Sequence, residues 1–202
     1  MKLFYAITSP YVRKVMVTAY EHGLTDRIEL IKMPAKDPLE PSIATSHNPL
    51  GKIPTLITDD GEAIYDSVVI CEYLDGLAPE AKRLFPGGEE KIPSLVLHAL
   101  ANGMIDAGMA ARADEVVRPE AFRWEGGKNY QMEKMRLSLK EIESRVDMFD
   151  EALCIGKITV ACGLGWFDFR FPGFDWRADF PLTAQWFESV SMRPSMQATR
   201  PA

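Results

Sequence analysis

The sequence predicts an α/β domain followed by a larger all-α domain. Short apolar runs and helical periods alternate over residues 1–76, whereas strand signals almost vanish after residue 88. A chain of 202 residues can bury about 70% of its surface, which is enough for a core without disulfides. Residues 77–88, with two prolines and two glycines, form the predicted linker between domains 1–76 and 89–202.

Composition narrows the classes of protein that the chain can belong to. Its three cysteines are never spaced as CxxC, which argues against a disulfide framework or a structural metal site and favours a reducing compartment. The net charge is −6, so the basic excess of a nucleic-acid binder is absent. No apolar run reaches the roughly 20 residues of a membrane span. We expect a cytoplasmic protein without metal, membrane or nucleic-acid partners.

In the first domain, residues 3–7 are strand formers and predict a buried strand. A helix is expected to begin at Pro10, because proline suits the first helical turn and Ser9 is a good N-cap residue. Gly23 is expected to end this helix. Residues 27–31 alternate between polar and apolar and predict a second strand.

The rest of this domain begins with a predicted loop at residues 34–49, rich in proline and polar residues. Residues 55–58 and 63–65 predict two strands joined by a turn at 59–61. Asp66 and Ser67, both N-cap residue types, then precede an apolar helix that ends near Gly76.

Apolar residues at helical spacing dominate the second domain. They predict helices over residues 95–109 and 132–149, a buried central helix over 158–169 and a last helix over 181–192. Glu141 and Arg145 are placed to pair on one helix face.

The first domain contains the motifs Ser9-Pro10-Tyr11, NPLGKIPTL at 48–56 and Asp66-Ser67, and the rest of the chain contains ANGMIDA at 101–107 and Arg193-Pro194-Ser195. The first three motifs resemble those of glutathione S-transferases, and the last two resemble bacterial members of that family. The resemblance implies a thioredoxin-like first domain, a helical second domain that contributes to the substrate pocket, and a homodimer. It also implies glutathione as co-substrate and a small electrophile as its partner in the reaction.

The same resemblance assigns a glutathione-binding role to five residues of the first domain. Ile53 and Pro54 would form a cis peptide that offers the Ile53 backbone to the tripeptide as a strand edge. Lys52 would bind the glycyl carboxylate. Asp66 would bind the γ-glutamyl ammonium, and Ser67 at the helix N-terminus would bind the γ-glutamyl carboxylate. Simpler roles for these residues are a loop proline, a surface cation and helix caps.

Ser9 is the proposed catalytic residue, since a hydroxyl and a helix N-terminus both favour the thiolate of glutathione. Thr8 is the runner-up, and Tyr5 is a third candidate that core packing explains better. The simpler alternative for Ser9 is capping alone. Cysteine is absent before Pro10, which disfavours thiol–disulfide exchange through an enzyme-bound mixed disulfide.

The predicted electrophile pocket contains Tyr11, Met104, Asp106 and Met109, although core packing explains these side chains equally well. The alternative function is a non-catalytic binding or interaction protein of the same fold.

One stretch departs from the family pattern. Cys154 and Lys157 occupy the positions where relatives carry a hydroxyl cap and an aspartate. Neither side chain is a good hydrogen-bond acceptor, so we expect a poorly capped central helix and a stability lowered by a few kcal/mol at most.

Overall fold

A computed structural model describes residues 1–33, 46–80, 83–149 and 152–201 of the chain. These residues form two compact units. The first consists of the described parts of Met1–Gly87 and Pro194–Ala202, and the second of those of Gly88–Arg193. The sequence assigned the whole C-terminal tail to the helical domain, whereas the structure groups the tail with the first unit.

Within the described ranges, the first unit is built on a four-stranded mixed sheet in the order β2-β1-β3-β4. Its strands are β1 (Lys2–Tyr5), β2 (Glu29–Lys32), β3 (Thr55–Ile57) and β4 (Ala63–Ile64). Strands β1 and β2 are parallel, whereas β3 is antiparallel to both β1 and β4. The predicted α/β class is therefore confirmed. Each strand is one residue shorter than predicted, and its bounds differ from the predicted ones by at most two residues.

The described residues of this unit form the α-helices α1 (Pro10–Glu21), α2 (Ser67–Gly76) and the short α8 (Pro194–Ala198). The predicted starts of α1 and α2 are confirmed. Helix α1 ends as predicted, because Gly23 has a φ of 65°, a left-handed conformation that only glycine adopts without strain. Most of the predicted loop at 34–49 lies outside the described residues.

The second unit is helical. Its helices are α3 (Lys91–Arg112), α4 (Glu125–Glu143), α5 (Ile155–Arg170), α6 (Trp176–Asp179) and α7 (Pro181–Ser191). A π-helical turn, Ala113–Val117, follows α3 directly. Helix α5 is the predicted buried central helix, and most of its residues are buried. No helix in the described ranges has the length and apolarity needed to cross a lipid bilayer.

Helices α3 and α5 run parallel and in close contact, because glycines remove side chains where the two backbones approach. A Cβ on Gly156 would lie 2.7 Å from the carbonyl oxygen of Ser94, one turn into α3. Further along, Gly108 lies against the Trp166 ring. The N-terminal half of α3 thus lies beside the N-terminal half of α5, and the two C-terminal halves lie together.

Helix α4 ends earlier than its apolar period predicts. The helix stops at Glu143, and the apolar stripe continues through a separate 3₁₀ turn at Val146–Met148. Ser144 stands at the break, where its hydroxyl donates to the carbonyl oxygen of Glu141 at 2.8 Å. Such local bonds compete with helix propagation, which is why a period alone overestimates the length. The predicted pair between Glu141 and Arg145 is present.

The N-terminus of α5 has the weak cap that the sequence predicts. Cys154 occupies the N-cap position, and its side chain makes no capping hydrogen bond. Lys157 instead turns back, and its Nζ donates to the carbonyl oxygen of Ala152 at 2.7 Å while lying 5.6 Å from the centre of the Phe149 ring. Lys157 therefore fastens the preceding segment to the helix rather than capping the helix amides.

Candidate functional site

Three loops of the first unit converge on one edge of the sheet. Phe4 near the end of β1 is paired with Thr55 at the start of β3, and Leu56 is paired with Ile64 at the end of β4. The C-terminal ends of β1 and β4 and the N-terminal end of β3 therefore share an edge. The segments that leave or enter this edge carry the predicted binding residues.

Ser9 lies between β1 and α1, in the extended conformation of an N-cap residue. Its Oγ accepts a hydrogen bond from the Val12 amide at 3.3 Å, and the residue is only 9% exposed. A hydroxyl can accept and donate at once. Within the described residues the Ser9 hydroxyl has no acceptor for its own proton, so capping leaves its donor capacity available. Thr8 and Tyr5 are half-buried nearby in the chain.

The loop before β3 is organised by Asn48, which is 1% exposed. Its Nδ2 donates to the carbonyl oxygen of Lys52 at 3.2 Å and to Oγ1 of Thr55 at 3.1 Å, and its Oδ1 accepts from the Leu50 amide at 3.0 Å. The Asn48 side chain thus joins the start of this loop to its end at Thr55. Asn48 is the first residue of the NPLGKIPTL stretch, but no neighbouring residue in the sequence indicated that its side chain has three hydrogen-bond partners.

Within this loop the Ile53–Pro54 peptide is cis, as predicted. The side chain of Lys52 is exposed and forms no ion pair with a described residue. Its carbonyl oxygen is occupied by Asn48 and Thr55, the latter donating from Oγ1 at 2.8 Å. The loop geometry therefore fixes the Lys52 backbone and leaves its ammonium in solvent.

The N-terminus of α2 presents Asp66 and Ser67 at the same edge. Asp66 is the N-cap, with its Oδ1 accepting from the Val68 amide at 3.1 Å, and its side chain is exposed. The peptide between Tyr65 and Asp66 is also cis. Ser67 is 3% exposed, and its hydroxyl makes no hydrogen bond within the described residues. A helix N-terminus with a carboxylate and a hydroxyl beside it can bind both groups of an amino-acid end.

The four predicted pocket residues differ in their exposure. Met104 is fully buried in the second unit, whereas Asp106 is exposed and accepts from Nδ2 of Asn102 at 3.2 Å. Met109 and Tyr11 are half-buried. Their assignment to an electrophile pocket stays a prediction.

Comparisons with known proteins show which family this chain is similar to. A family model of the glutathione S-transferase N-terminal domain matches residues 8–77. An uncharacterized GST-like protein of Escherichia coli strain K12, YibF, is 32% identical over 206 residues, covering 100% of this chain and 98% of the relative.

Solved structures of bacterial relatives resemble the chain along its whole length. A glutathione transferase family member from Pseudomonas fluorescens Pf-5, with bound glutathione, has a TM-score of 0.95 and 40% identity and covers 100% of this chain and 98% of its own. A structure with bound S-(propanoic acid)-glutathione, from the same organism, has a TM-score of 0.91 and 39% identity over 100% of both chains. The chain therefore belongs to the glutathione S-transferase family.

Proposed function

We propose that the protein binds glutathione at this sheet edge and activates its thiol as a thiolate for attack on a small electrophile. The observation that carries the proposal is the Ser9 hydroxyl, which lies at the N-terminus of α1 and keeps its proton free for an acceptor. The bound glutathione in the Pseudomonas fluorescens relative supports the choice of ligand.

Each end of glutathione meets a group of suitable charge. The exposed carboxylate of Asp66 would bind the γ-glutamyl ammonium, and the hydroxyl and amide of Ser67 would bind the γ-glutamyl carboxylate. The Ile53 backbone beside Pro54 would pair with the cysteinyl backbone as an added strand edge. The ammonium of Lys52, without a described carboxylate partner, would bind the glycyl carboxylate.

The chemistry requires the thiolate, since the thiolate is the nucleophile. A thiol with a pKa near 8.5 is only about 3% ionised at pH 7. Donation from Ser9 and the partial positive charge at the N-terminus of α1 both favour the charged sulfur and so lower the pKa of the bound thiol. The thiol gives its proton to solvent, and the thiolate sulfur then bonds to the electrophilic carbon. In a substitution the leaving group departs with the electron pair of its bond, as chloride does, whereas in an addition the displaced electron pair takes up a proton from solvent.

The product of such a reaction is a glutathione thioether. A structure of a relative holds S-(propanoic acid)-glutathione, a thioether of this kind. This supports a small electrophile as the second substrate, with Tyr11, Met104, Asp106 and Met109 as proposed pocket residues. Full burial of Met104 makes it the member of the set best explained by core packing.

We also propose that the protein is a cytoplasmic homodimer. Cys71, Cys154 and Cys162 form no disulfide, which suits a reducing compartment. Sedimentation equilibrium of the full chain tests the assembly, for which a mass of two chains is expected and a mass of one chain would contradict it.

Isothermal titration with glutathione, followed by steady-state conjugation of a chloronitroarene, tests the function. Ser9→Ala should retain glutathione binding and lower kcat/KM at neutral pH by about tenfold or more, the factor that corresponds to one pKa unit of the thiol. Thr8→Val and Tyr5→Phe are the matched controls and should change it little. Tight binding with no turnover would favour a non-catalytic glutathione-binding protein. No binding at millimolar glutathione would exclude both glutathione-dependent functions and leave the interaction protein.

A further inference from the structure

The C-terminal tail lies on α1, the helix that begins beside Ser9. The contact is made by Arg13, which is 6% exposed. Its Nη2 donates to the carbonyl oxygen of Met196 at 3.1 Å, and its Nε donates to Oγ1 of Thr199 at 3.4 Å. Residues more than 180 positions apart in the sequence are thereby joined.

The hydrogen-bond roles at this contact are complementary. The carbonyl of Met196 belongs to the last turn of α8, where the helix itself supplies no donor. The hydroxyl of Thr199 gives its own proton to the Ser195 carbonyl at 2.8 Å, so its oxygen is free to accept from Arg13. Both acceptors therefore suit a guanidinium, whose planar donors hold two partners at once.

A second bond fastens the far end of α1 to the same segment. The Ser195 hydroxyl donates to the carboxylate of Glu21 at 2.5 Å, and Ser195 and Met196 are almost completely buried. The tail thus contacts α1 at both ends, near the Ser9 end through Arg13 and near the opposite end through Glu21.

Arg13 is linked to Ser9 through the first turn of α1. The Arg13 amide donates to the Ser9 carbonyl at 3.0 Å, and the Val12 amide donates to the Ser9 hydroxyl at 3.3 Å. The first turn of α1 therefore sets the direction of the Ser9 hydroxyl. The same turn ends at Arg13, which is hydrogen-bonded to the tail. A buried guanidinium that lost its acceptors would move toward water, because an unpaired buried charge is costly.

We propose that Arg13 is a positioning residue for the activation of glutathione. It fixes the direction of the Ser9 hydroxyl because it holds the first turn of α1 against residues 196–199. The inference rests on the proposed function of Ser9. By this proposal, the C-terminal tail contributes to the activation of glutathione in the first unit.

The test is an absorbance titration of the bound thiolate in the full chain carrying Arg13→Met, which keeps the apolar stem and removes every donor. The fraction of bound glutathione that is ionised at neutral pH should fall by about fivefold, which corresponds to the free energy of one ordinary hydrogen bond. Arg13→Lys, which can still reach the Met196 carbonyl, should recover part of it. Ser195→Ala is the matched control, since it releases the Glu21 end of α1 and should leave the titration unchanged.

Amide hydrogen exchange gives a readout that does not depend on glutathione. Arg13→Met should speed exchange of the backbone amides at positions 12 and 13, whereas Ser195→Ala should not. A bound thiol that titrates in Arg13→Met as in the unmodified chain, or a shift of equal size in Ser195→Ala, would overturn the positioning role while leaving Ser9 activation intact. Absence of an ionised bound thiol in the unmodified chain would instead overturn both.

Discussion

Asn48 shows how a single side chain can determine a binding loop. Its amide meets the Lys52 carbonyl, the Thr55 hydroxyl and the Leu50 amide, all from a buried position. Each partner is a polar group that would lose a hydrogen bond if the amide were removed. The sequence motif contained the residue, but its partners follow from loop closure, which a one-dimensional pattern does not specify.

Replacing Asn48 tests this role. Asn48→Ala should lower the free energy of unfolding by about 1–3 kcal/mol, because buried polar groups lose their partners. Glutathione affinity should fall with it, since Lys52 and Ile53 lie in the same loop. Pro49→Ala is the control in the same loop, since it removes no side-chain hydrogen bond. Denaturant unfolding and calorimetric titration measure both effects, and an unfolding free energy equal to that of the unmodified chain would refute the assignment.

At the scale of elements, the N-terminus of α7 is capped from a distant helix. The carboxylate of Glu143, at the end of α4, accepts from the amides of Leu182 at 3.0 Å and Thr183 at 2.7 Å and from the Thr183 hydroxyl at 2.6 Å. Partial burial opposes ionisation, but these hydrogen bonds outweigh it and lower the pKa of Glu143 below its ordinary value of 4.5. The apolar period over residues 181–192 predicted α7, whereas a cap some 40 residues away left no local signal.

The lowered pKa fixes the sign of a pH effect. A carboxyl with a lower pKa in the folded state stabilises the fold fully above 4.5 and loses that contribution as pH falls through its folded-state value. Glu143→Gln should therefore cost about 1–2 kcal/mol at neutral pH and less in acid. Glu141→Gln, in an exposed pair with Arg145, is the control. A difference that is independent of pH would contradict this account.

The cap of α5 gives a second prediction for an element. Cys154→Thr should raise the free energy of unfolding by about 1 kcal/mol, since a hydroxyl can accept from the helix amides. Lys157→Asp should offset that gain, because it removes the bond from Nζ to the Ala152 carbonyl. Thermal unfolding of both single variants and the double variant measures the balance. No gain in Cys154→Thr would show that the α5 amides already have partners.

The contact of α3 with α5 gives a third prediction for an element. Gly156→Ala should lower the free energy of unfolding by about 1–3 kcal/mol, because its Cβ would meet the Ser94 carbonyl oxygen at 2.7 Å, and backbone cannot yield easily. Gly163→Ala is the matched control in the same helix, where the nearest atom belongs to the Ile105 side chain at 3.1 Å. Equal losses in the two variants would refute the argument from close backbone approach.

For the whole molecule, the sequence predicted the α/β and all-α halves because local periods and caps specify each element. Ser9 before Pro10 and Asp66 before Ser67 are local signals, and both helices begin where these residues predict. The position of the tail on α1 was not predictable, since Arg13 and Thr199 are brought together only by the completed fold. The placement of the substrate residues stays a prediction for the same reason, because it depends on tertiary contacts.

Ser9 is proposed to lower the pKa of the glutathione thiol, and a pH titration of thiolate absorbance in the glutathione complex measures that pKa. We expect the bound thiol to ionise below the free value near 8.5, and Ser9→Ala to return the titration toward that value while glutathione remains bound. A bound thiol that ionises like free glutathione in the unmodified chain, or at equally low pH in Ser9→Ala, would contradict this role of Ser9.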